Sequence, residues 1–161
     1  MSRIVAILLV LLLAGCGFQL RGLQESGALP ERVFVDAPGF SPVAEPLKRT
    51  LRGAETQLVD SKETAVVAVR VSGDDWESRT LALNNRSTLR EILLTYRVSV
   101  EISQSGVAAK PVRENLQTSR EYSFDSSGVL GSSDQEEALL NEMRRELVQS
   151  ILFSIARTGG G

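Results

Sequence analysis

A single cysteine, Cys16, follows an apolar run from Ile4 to Leu13 after two small residues, and it limits the possible folds more than any other feature. Because the sequence contains no second cysteine, no disulfide bond within the chain can stabilise it. The sequence also has no histidine, so it lacks the commonest metal ligand and general base. The folded domain must therefore depend on a hydrophobic core.

The residues before Cys16 predict how the chain is processed. Arg3 supplies a short positive segment, and the apolar run after it is shorter than the roughly 20 residues that cross a bilayer. Leu13-Ala14-Gly15-Cys16 resembles the bacterial lipobox, in which small residues enter the peptidase cleft and the thiol takes up a diacylglyceryl group. We therefore expect residues 1–15 to be a lipoprotein signal peptide and Cys16 to be the acylated N-terminus.

Two other interpretations of Cys16 remain open, namely an ordinary signal peptide followed by an unpaired cysteine, and a buried N-terminal helix. An unpaired cysteine in an exported protein is reactive, and acylation removes that reactivity, so lipid attachment is favoured. In the resembled class of lipoproteins, an Asp directly after the cysteine commonly signals retention in the inner membrane. This chain has Gly17 at that position instead. We therefore expect a lipid-anchored protein of the cell outer membrane.

Length and charge describe the rest of the chain. Residues 16–161 are enough for a single domain with its own core and too few for two. The formal charge is −2, and removal of residues 1–15, whose only charged residue is Arg3, leaves −3. A general nucleic-acid binder normally has a basic excess, so we expect no nucleic-acid partner.

The first strand and helix are predicted between Pro30 and Gly53. Val33-Phe34-Val35 indicates a short strand within residues 30–36. A proline inside a helix removes a backbone hydrogen bond and clashes with the preceding turn, so Pro46 is placed at the first helical position. The helix is expected to end at Gly53 and to bury one side, formed by Leu47, Leu51 and Ala54.

β-Branched and alternating residues predict a series of strands. Gly73-Asp74-Asp75 is expected to form a turn, although the residues on its two sides could also belong to one bulged strand. Asn84-Asn85-Arg86-Ser87 predicts a hairpin, because Asn tolerates left-handed backbone angles. The strands are predicted over residues 66–71, 76–83, 92–102 and 111–124.

A long helix is predicted near the C-terminus. Ser133 and Glu136 have the spacing of a capping box, which predicts that the helix begins there. Its apolar residues recur at helical spacing and form one stripe: Leu140, Met143, Leu147, Ile151 and Ile155. The run Gly159-Gly160-Gly161 is expected to end the helix.

This order of elements predicts an α+β domain with a sheet of about four strands and two helices packed on one face. The other face of the sheet is then only partly covered. It is expected to meet water or a partner, because it carries mostly polar residues: Thr95, Arg97, Ser99, Arg113, Asn115, Gln117 and Ser119.

The mature start Cys16-Gly17-Phe18-Gln19-Leu20-Arg21, together with this order of elements, resembles the LptE family of lipopolysaccharide-assembly lipoproteins. The resemblance covers nearly the whole mature chain. It implies an outer-membrane lipoprotein that sits in the lumen of the LptD β-barrel, helps that barrel to assemble, and binds lipopolysaccharide during insertion into the outer leaflet. The implied partners are an LptD-type barrel and lipopolysaccharide, and the resemblance implies no cofactor and no catalysis.

The sequence contains no catalytic motif and one candidate binding patch. No Ser, Asp or Lys stands in a nucleophile elbow, a P-loop or an S-x-x-K motif, so we expect no enzyme. Asp74-Asp75 could be a metal pair, but adjacent carboxylates beside Gly73 more often form a solvated turn. The predicted lipopolysaccharide-binding residues surround the hairpin, and they are arginines because a planar guanidinium binds phosphate bidentately: Arg79, Arg86 and Arg90.

One alternative remains open for the arginine patch and one for the function of the chain. The arginines could simply be the solvated tip of a hairpin. The chain could also be an envelope lipoprotein that binds another lipid or assists assembly of a different outer-membrane partner.

Overall fold

In the described part of the computed structural model of this protein, five strands form one mixed sheet and two helices cover one of its faces. The structure describes residues 28–54, 56–83, 89–106, 110–125 and 132–159. The strands are β1 (Arg32–Asp36), β2 (Gln57–Leu58), β3 (Val67–Leu83), β4 (Leu89–Gln104) and β5 (Val112–Asp125). The helices are α1 (Ala44–Gly53) and α2 (Ser132–Gly159), and a 3₁₀ turn spans Lys62–Thr64.

The strand order is β2-β1-β3-β4-β5, which confirms the predicted α+β class. β1 runs parallel to both of its neighbours, whereas β3, β4 and β5 form an antiparallel meander. The additional strand is β2, whose two residues are too few to leave an alternating pattern in the sequence. It forms because Gln57 donates its N–H to Glu31 and Val59 donates its N–H to Val33.

β3 is one continuous strand, so the turn predicted at Gly73-Asp74-Asp75 is wrong and the alternative of a bulged strand is confirmed. The register with β4 shifts between Ser72 and Asp75 and again between Thr80 and Ala82. Gly73 has φ +61°, a conformation that glycine adopts without strain and most other residues do not. The first bulge therefore forms where the sequence suggested a chain reversal.

α1 begins at Ala44, two residues earlier than predicted. Pro46 lies in the first turn, where backbone N–H groups have no partner within the helix, so the missing donor costs nothing. Leu47 and Leu51 are fully buried as expected, and the helix ends at Gly53. Ala54 is exposed, so its predicted place on the buried side is wrong.

α2 begins at Ser132, one residue before the predicted cap, so Ser133 already lies within the helix. Because Ser133 is not the residue that precedes the helix, the predicted capping box is wrong. Glu136 Oε2 accepts a 2.7 Å hydrogen bond from the Tyr122 hydroxyl on β5. The predicted apolar stripe is confirmed, and all five of its residues are buried.

The far end of α2 lies tightly against the sheet. A Cβ atom at Gly159 would stand 3.1 Å from two atoms of the Pro30 ring and 3.2 Å from a methyl group of Val67. Such distances are too short for a side chain unless the neighbours shift. Gly159 therefore allows the last turn of α2 to approach β3, and the helix continues into the predicted polyglycine end.

Both helices contribute to one apolar cluster on one side of the sheet. We call this side the helix face; it carries alternate residues of the three long strands, such as Val69, Val98 and Tyr122. Tyr96 is the largest of the fully buried side chains and has no exposed surface. The cluster joins strands that lie far apart in sequence, so one apolar core connects all three long strands to both helices.

The opposite side of the sheet, here called the open face, has no helix packed on it among the described residues. It carries the predicted polar residues, and four of them are exposed: Arg113, Asn115, Gln117 and Ser119. Thr95 is an exception, because it is buried although it lies on the open face. Its cross-strand neighbours Glu77 and Ser119 flank it on both sides.

Candidate functional site

Two members of the predicted arginine patch, Arg79 and Arg90, lie on opposite faces of the sheet. Arg79 pairs with Leu93 and therefore lies on the open face. Arg90 is an even number of residues away from Ile92 and Tyr96 on β4. Its side chain therefore projects on the same side of the sheet as theirs, the helix face. Both arginines are exposed and form no ion pair with another described residue. Arg86 and Cys16 lie outside the described residues.

The open face carries a row of alternating charges that crosses four strands. The row follows the strand register from Asp36 to Arg70, Glu101 and Arg113. Arg70 Nε donates a 2.8 Å hydrogen bond to Asp36, and Arg113 Nε donates a 2.7 Å bond to Glu101. Opposite charges are favourable as cross-strand neighbours, and the two acidic residues of the row balance its two basic residues.

A second set of polar bonds lies further along the same face. Arg97 donates a 2.7 Å hydrogen bond to Glu77 on β3 and a 3.1 Å bond to Gln117 on β5. Ser99 donates a 2.8 Å bond to the Asn115 side chain. Hydrogen bonding from Arg97 holds the pKa of Glu77 below its ordinary value, and Arg113 does the same for Glu101. These carboxylates therefore remain charged at neutral pH.

A small cavity of about 140 Å³ opens on the charged row. Its lining includes Phe34 but also the charged side chains of Lys62, Arg70 and Glu101. Sites for drug-sized ligands are several hundred Å³ and mostly apolar. This cavity is therefore unsuited to an acyl chain, and the open face is a polar surface rather than a lipid pocket.

Within the Asp74-Asp75 pair, Asp74 has a structural role. Asp74 Oδ2 accepts hydrogen bonds from the Ser41 hydroxyl at 2.5 Å and from the Val43 backbone N–H at 2.9 Å. Its Oδ1 accepts a 2.7 Å bond from the Tyr96 hydroxyl. A carboxylate at the start of α1 also meets the positive end of the helix dipole. Across the described parts of the chain, no cluster of three or more His, Cys, Asp or Glu residues is arranged to hold a metal ion.

The Tyr96 hydroxyl is buried where Asp74 and α2 meet. Burial raises the pKa of Tyr96 to about 12, because the phenolate would lose its hydration. Arg144 of α2 donates a 3.3 Å hydrogen bond from Nε to this hydroxyl, and its guanidinium carbon lies 5.6 Å from the centre of the ring. The Tyr96 side chain thereby joins the β3 bulge, α1 and α2.

The junction of Asp74, Tyr96 and Ser41 was not predicted from the sequence. Asp74 stands 33 residues from Ser41 and 22 residues from Tyr96, so no local spacing relates the three. The only signal was an acidic residue beside Gly73, and that pattern is typical of a solvated turn.

The described residues include no helix long and apolar enough to cross a membrane.

Comparison with known proteins places this geometry in a family. The family model described as LptE, lipopolysaccharide-assembly, matches residues 31–155. The LPS-assembly lipoprotein LptE of Yersinia enterocolitica is 26% identical over 155 residues, which cover 93% of this chain and 74% of that protein. The Yersinia pestis protein of the same name is 24% identical over the same shares.

Two solved structures have the same fold. An uncharacterised lipoprotein B from Nitrosomonas europaea superposes with a TM-score of 0.71 at 27% identity and covers 87% of this chain and 90% of its own. The rare lipoprotein B of Shewanella oneidensis superposes with a TM-score of 0.70 at 23% identity, over 79% of this chain and 95% of its own. The second likeness is one of fold alone.

Proposed function

This chain belongs to the LptE family of lipopolysaccharide-assembly proteins, and from that premise we propose that it acts with an LptD-type β-barrel to place lipopolysaccharide in the outer leaflet of the outer membrane. The observation that carries the proposal is the extent of the family match. Residues 31–155 include every strand and nearly the whole of α2. The similarity therefore extends over the complete folded body rather than one motif.

The proposal includes a lipid anchor at Cys16. Cleavage after residue 15 would expose the cysteine, and two or more acyl chains would then hold the protein stably at the membrane. β1 begins at Arg32, so fifteen residues lie between the anchor and the sheet. A segment of that length keeps the folded body close to the bilayer.

A place inside a barrel lumen is supported by the chemistry of the open face. Charged groups are costly to bury unless each one has a partner. On this face Asp36, Glu77 and Glu101 are each bonded to an arginine on a neighbouring strand. Such a surface suits a polar, hydrated interface of the kind that non-obligate partners form. We propose that the chain acts as a plug and as an assembly factor for the barrel.

We also propose that the hairpin between β3 and β4 contacts the phosphorylated sugars of lipopolysaccharide. Arg86 lies in the predicted turn and is expected to contribute most. Arg79 and Arg90 project from opposite faces of the two strands that lead into it. The three residues would therefore surround the tip rather than form one flat patch, and phosphate groups could be bound from either side.

The experiment is affinity purification of the tagged, acylated chain from detergent-solubilised outer membranes. We expect an LptD-type barrel in about equimolar amount, with lipopolysaccharide in the same fraction. A tagged outer-membrane lipoprotein of unrelated fold is the control for barrel adhering to detergent micelles. Recovery of a different outer-membrane protein, or of no protein, would contradict the proposal.

A further inference from the structure

The outer edge of β5 is free along its whole length. β5 is the last strand of the sheet, and among the described strands only β4 pairs with it. Residues 112–125 match residues 102–89 of β4 one to one, with no register shift, so the edge is regular. A regular strand edge presents a row of backbone N–H and C=O groups to which a further strand can bond.

Charged side chains are placed symmetrically about Gln117 on this strand. Arg113 and Glu121 stand four residues before and after Gln117. Glu114 and Arg120 stand three residues before and after it. When two copies of β5 pair antiparallel with Gln117 opposite Gln117, each basic residue therefore lies opposite an acidic residue. Such cross-strand pairs are favourable, and a shift of the register by two residues in either direction removes every one of them.

The same register keeps the two faces of the sheet in agreement. Arg113 and Glu121 project on the open face, since an even number of residues separates them on one strand. Glu114 and Arg120 project on the helix face, where both bond to α2. A two-fold axis that passes through Gln117 perpendicular to the sheet relates each face to the same face of the second copy. Opposite charges therefore meet on both faces.

The charged groups on the open face can form new bonds. Among the described residues the Arg113 guanidinium donates only from Nε, to Glu101, and the Arg113 side chain is 78% exposed. Glu121 is exposed and forms no ion pair with another described residue. The terminal nitrogens of Arg113 can therefore bond to Glu121 of a second copy while the bond to Glu101 is kept.

On the helix face the charges already have partners on α2, and these partners are also complementary. Arg157 bonds to Glu114, whereas Glu142 and Glu146 bond to Arg120. Because Glu114 of one copy faces Arg120 of the other, Arg157 comes to the level of the other copy's two glutamates. The existing ion pairs therefore bring unlike charges together across the axis.

The two α2 helices fit side by side in this arrangement. α2 contacts β4 and β5 alike, so its axis lies over the space between them. With strands about 4.8 Å apart, the two helix axes come to roughly 10 Å from each other, and packed helices lie about 8–10 Å apart.

Exposed apolar side chains lie beside the same edge. Phe153 is 49% exposed, and the guanidinium carbon of Arg157, which bonds to Glu114 of β5, lies 5.9 Å from the centre of its ring. Val112 of β5 is 40% exposed, and the register places it opposite Tyr122 of the second copy. Pairing along β5 therefore removes apolar surface from water, which favours association.

We propose that two copies of the free chain pair antiparallel along β5, with Gln117 on the two-fold axis, and form one continuous sheet. An unrelated strand would need four complementary charges at matching positions, and a second copy supplies them by symmetry. The free edge of β3 is less suitable, because it is regular only from Asp75 to Thr80, between two register shifts. The inference goes beyond the proposed function, since it concerns the chain without its barrel.

The first test is disulfide cross-linking of the acylated chain in detergent. Gln117→Cys places a thiol on the axis, where opposite Cα atoms of paired strands lie about 4.5–5.5 Å apart, within the range of a disulfide. We expect a covalent dimer on mild oxidation. Ser119→Cys should stay monomeric, because its counterpart lies about 14 Å away. Ser78→Cys on the β3 edge should also stay monomeric, and the parent chain controls for linkage through Cys16.

The second test exchanges charges. Arg113→Glu and Glu121→Arg should each weaken self-association about tenfold at low salt, because each variant sets like charges opposite each other twice. Sedimentation equilibrium in density-matched detergent measures the change. An equal mixture of the two variants should regain the parent's affinity, since each chain then carries the charges that complement the other. Mixing would not repair a folding defect.

Several results would overturn the inference. They are the absence of a cross-link at residue 117, equal cross-linking at residue 119 or 78, and no recovery in the mixture. Protection of β5 amides from hydrogen exchange only in the barrel complex would assign this edge to the barrel instead. None of these results prevents isolation of the barrel complex, so the proposed function is tested separately.

Discussion

The Tyr96 hydroxyl donates a 2.7 Å hydrogen bond to Asp74, a residue that the β3 bulge turns toward the helix face. The same carboxylate accepts the bonds of Ser41 and Val43 at the start of α1. One side chain thus connects the middle of the sheet to a helix that is more than 30 residues away in sequence. Its removal would disturb two strands and a helix together.

Asp74→Ala should therefore destabilise the domain by about 2–3 kcal/mol, because three donors lose their acceptor at once and all three bonds are partly buried. The free energy of unfolding in urea measures this effect. Asp75→Ala is the matched control, since Asp75 is exposed and should change stability by no more than about 0.5 kcal/mol. An equal effect at both positions would show that Asp74 has no special role.

The apolar stripe of α2 leads to a second prediction. Leu147 is 2% exposed and belongs to the central cluster, so Leu147→Ala should cost about 2–5 kcal/mol through lost burial and the cavity that remains. Thermal and urea unfolding both report it. Arg145→Ala, at an exposed position of the same helix, should leave the melting temperature nearly unchanged. If Leu147→Ala melted with the parent, the assignment of this stripe to the core would be wrong.

Stability should also fall at alkaline pH. Burial raises the pKa of Tyr96 and of Tyr122 to about 12, whereas an unfolded tyrosine titrates near 10. Between these values the unfolded chain releases protons that the folded chain keeps, so stability is fully present below about pH 10 and is lost as the pH rises towards 12. Both tyrosines contribute to this loss, and Tyr96 contributes more because its side chain is fully buried. Tyr96→Phe should flatten the decline measured by urea unfolding, and an unchanged slope would contradict the prediction.

The anchor is tested with Cys16→Ser. This variant should keep the fold but lose its acyl chains, because the hydroxyl is not the thiol that the lipidating enzyme requires. In cells that lack the barrel partner, the variant should leave the outer-membrane fraction while the parent stays. Circular dichroism of the purified variant checks that the domain still folds. Retention of the variant in the membrane fraction would refute the assignment of Cys16.

The hairpin is tested by lipopolysaccharide binding at two salt concentrations. Arg86→Glu and Arg79→Glu should each weaken binding about two- to fivefold at low salt, and less at high salt, because exposed charge contacts are weak and screened. Arg49→Glu is the control, since Arg49 is an exposed basic residue on α1, a separate element. Equal loss in all three variants would indicate a general charge effect and would remove the hairpin as the site.

Local periodicity made most of the elements predictable. Alternation from Ile92 to Ile102 and the helical spacing from Leu140 to Ile155 depend only on which residues share a side, and both patterns match the buried positions found. Element ends were less predictable. The capping pattern predicts that α2 starts at Ser133, but the helix starts at Ser132 and Glu136 accepts a hydrogen bond from the Tyr122 hydroxyl on the preceding strand.

What the sequence alone determined is therefore the class of the fold, the apolar side of each long element, and the resemblance that begins at Cys16. Only the tertiary structure decided how the strands align. The bulge between Ser72 and Asp75 adds a residue to β3, which changes the side on which residues 75–80 project, and the second shift between Thr80 and Ala82 reverses that change. For that reason Asp74 reaches Tyr96, and Arg79 and Arg90 end on opposite faces, since such relations depend on pairing between strands and not on spacing along one.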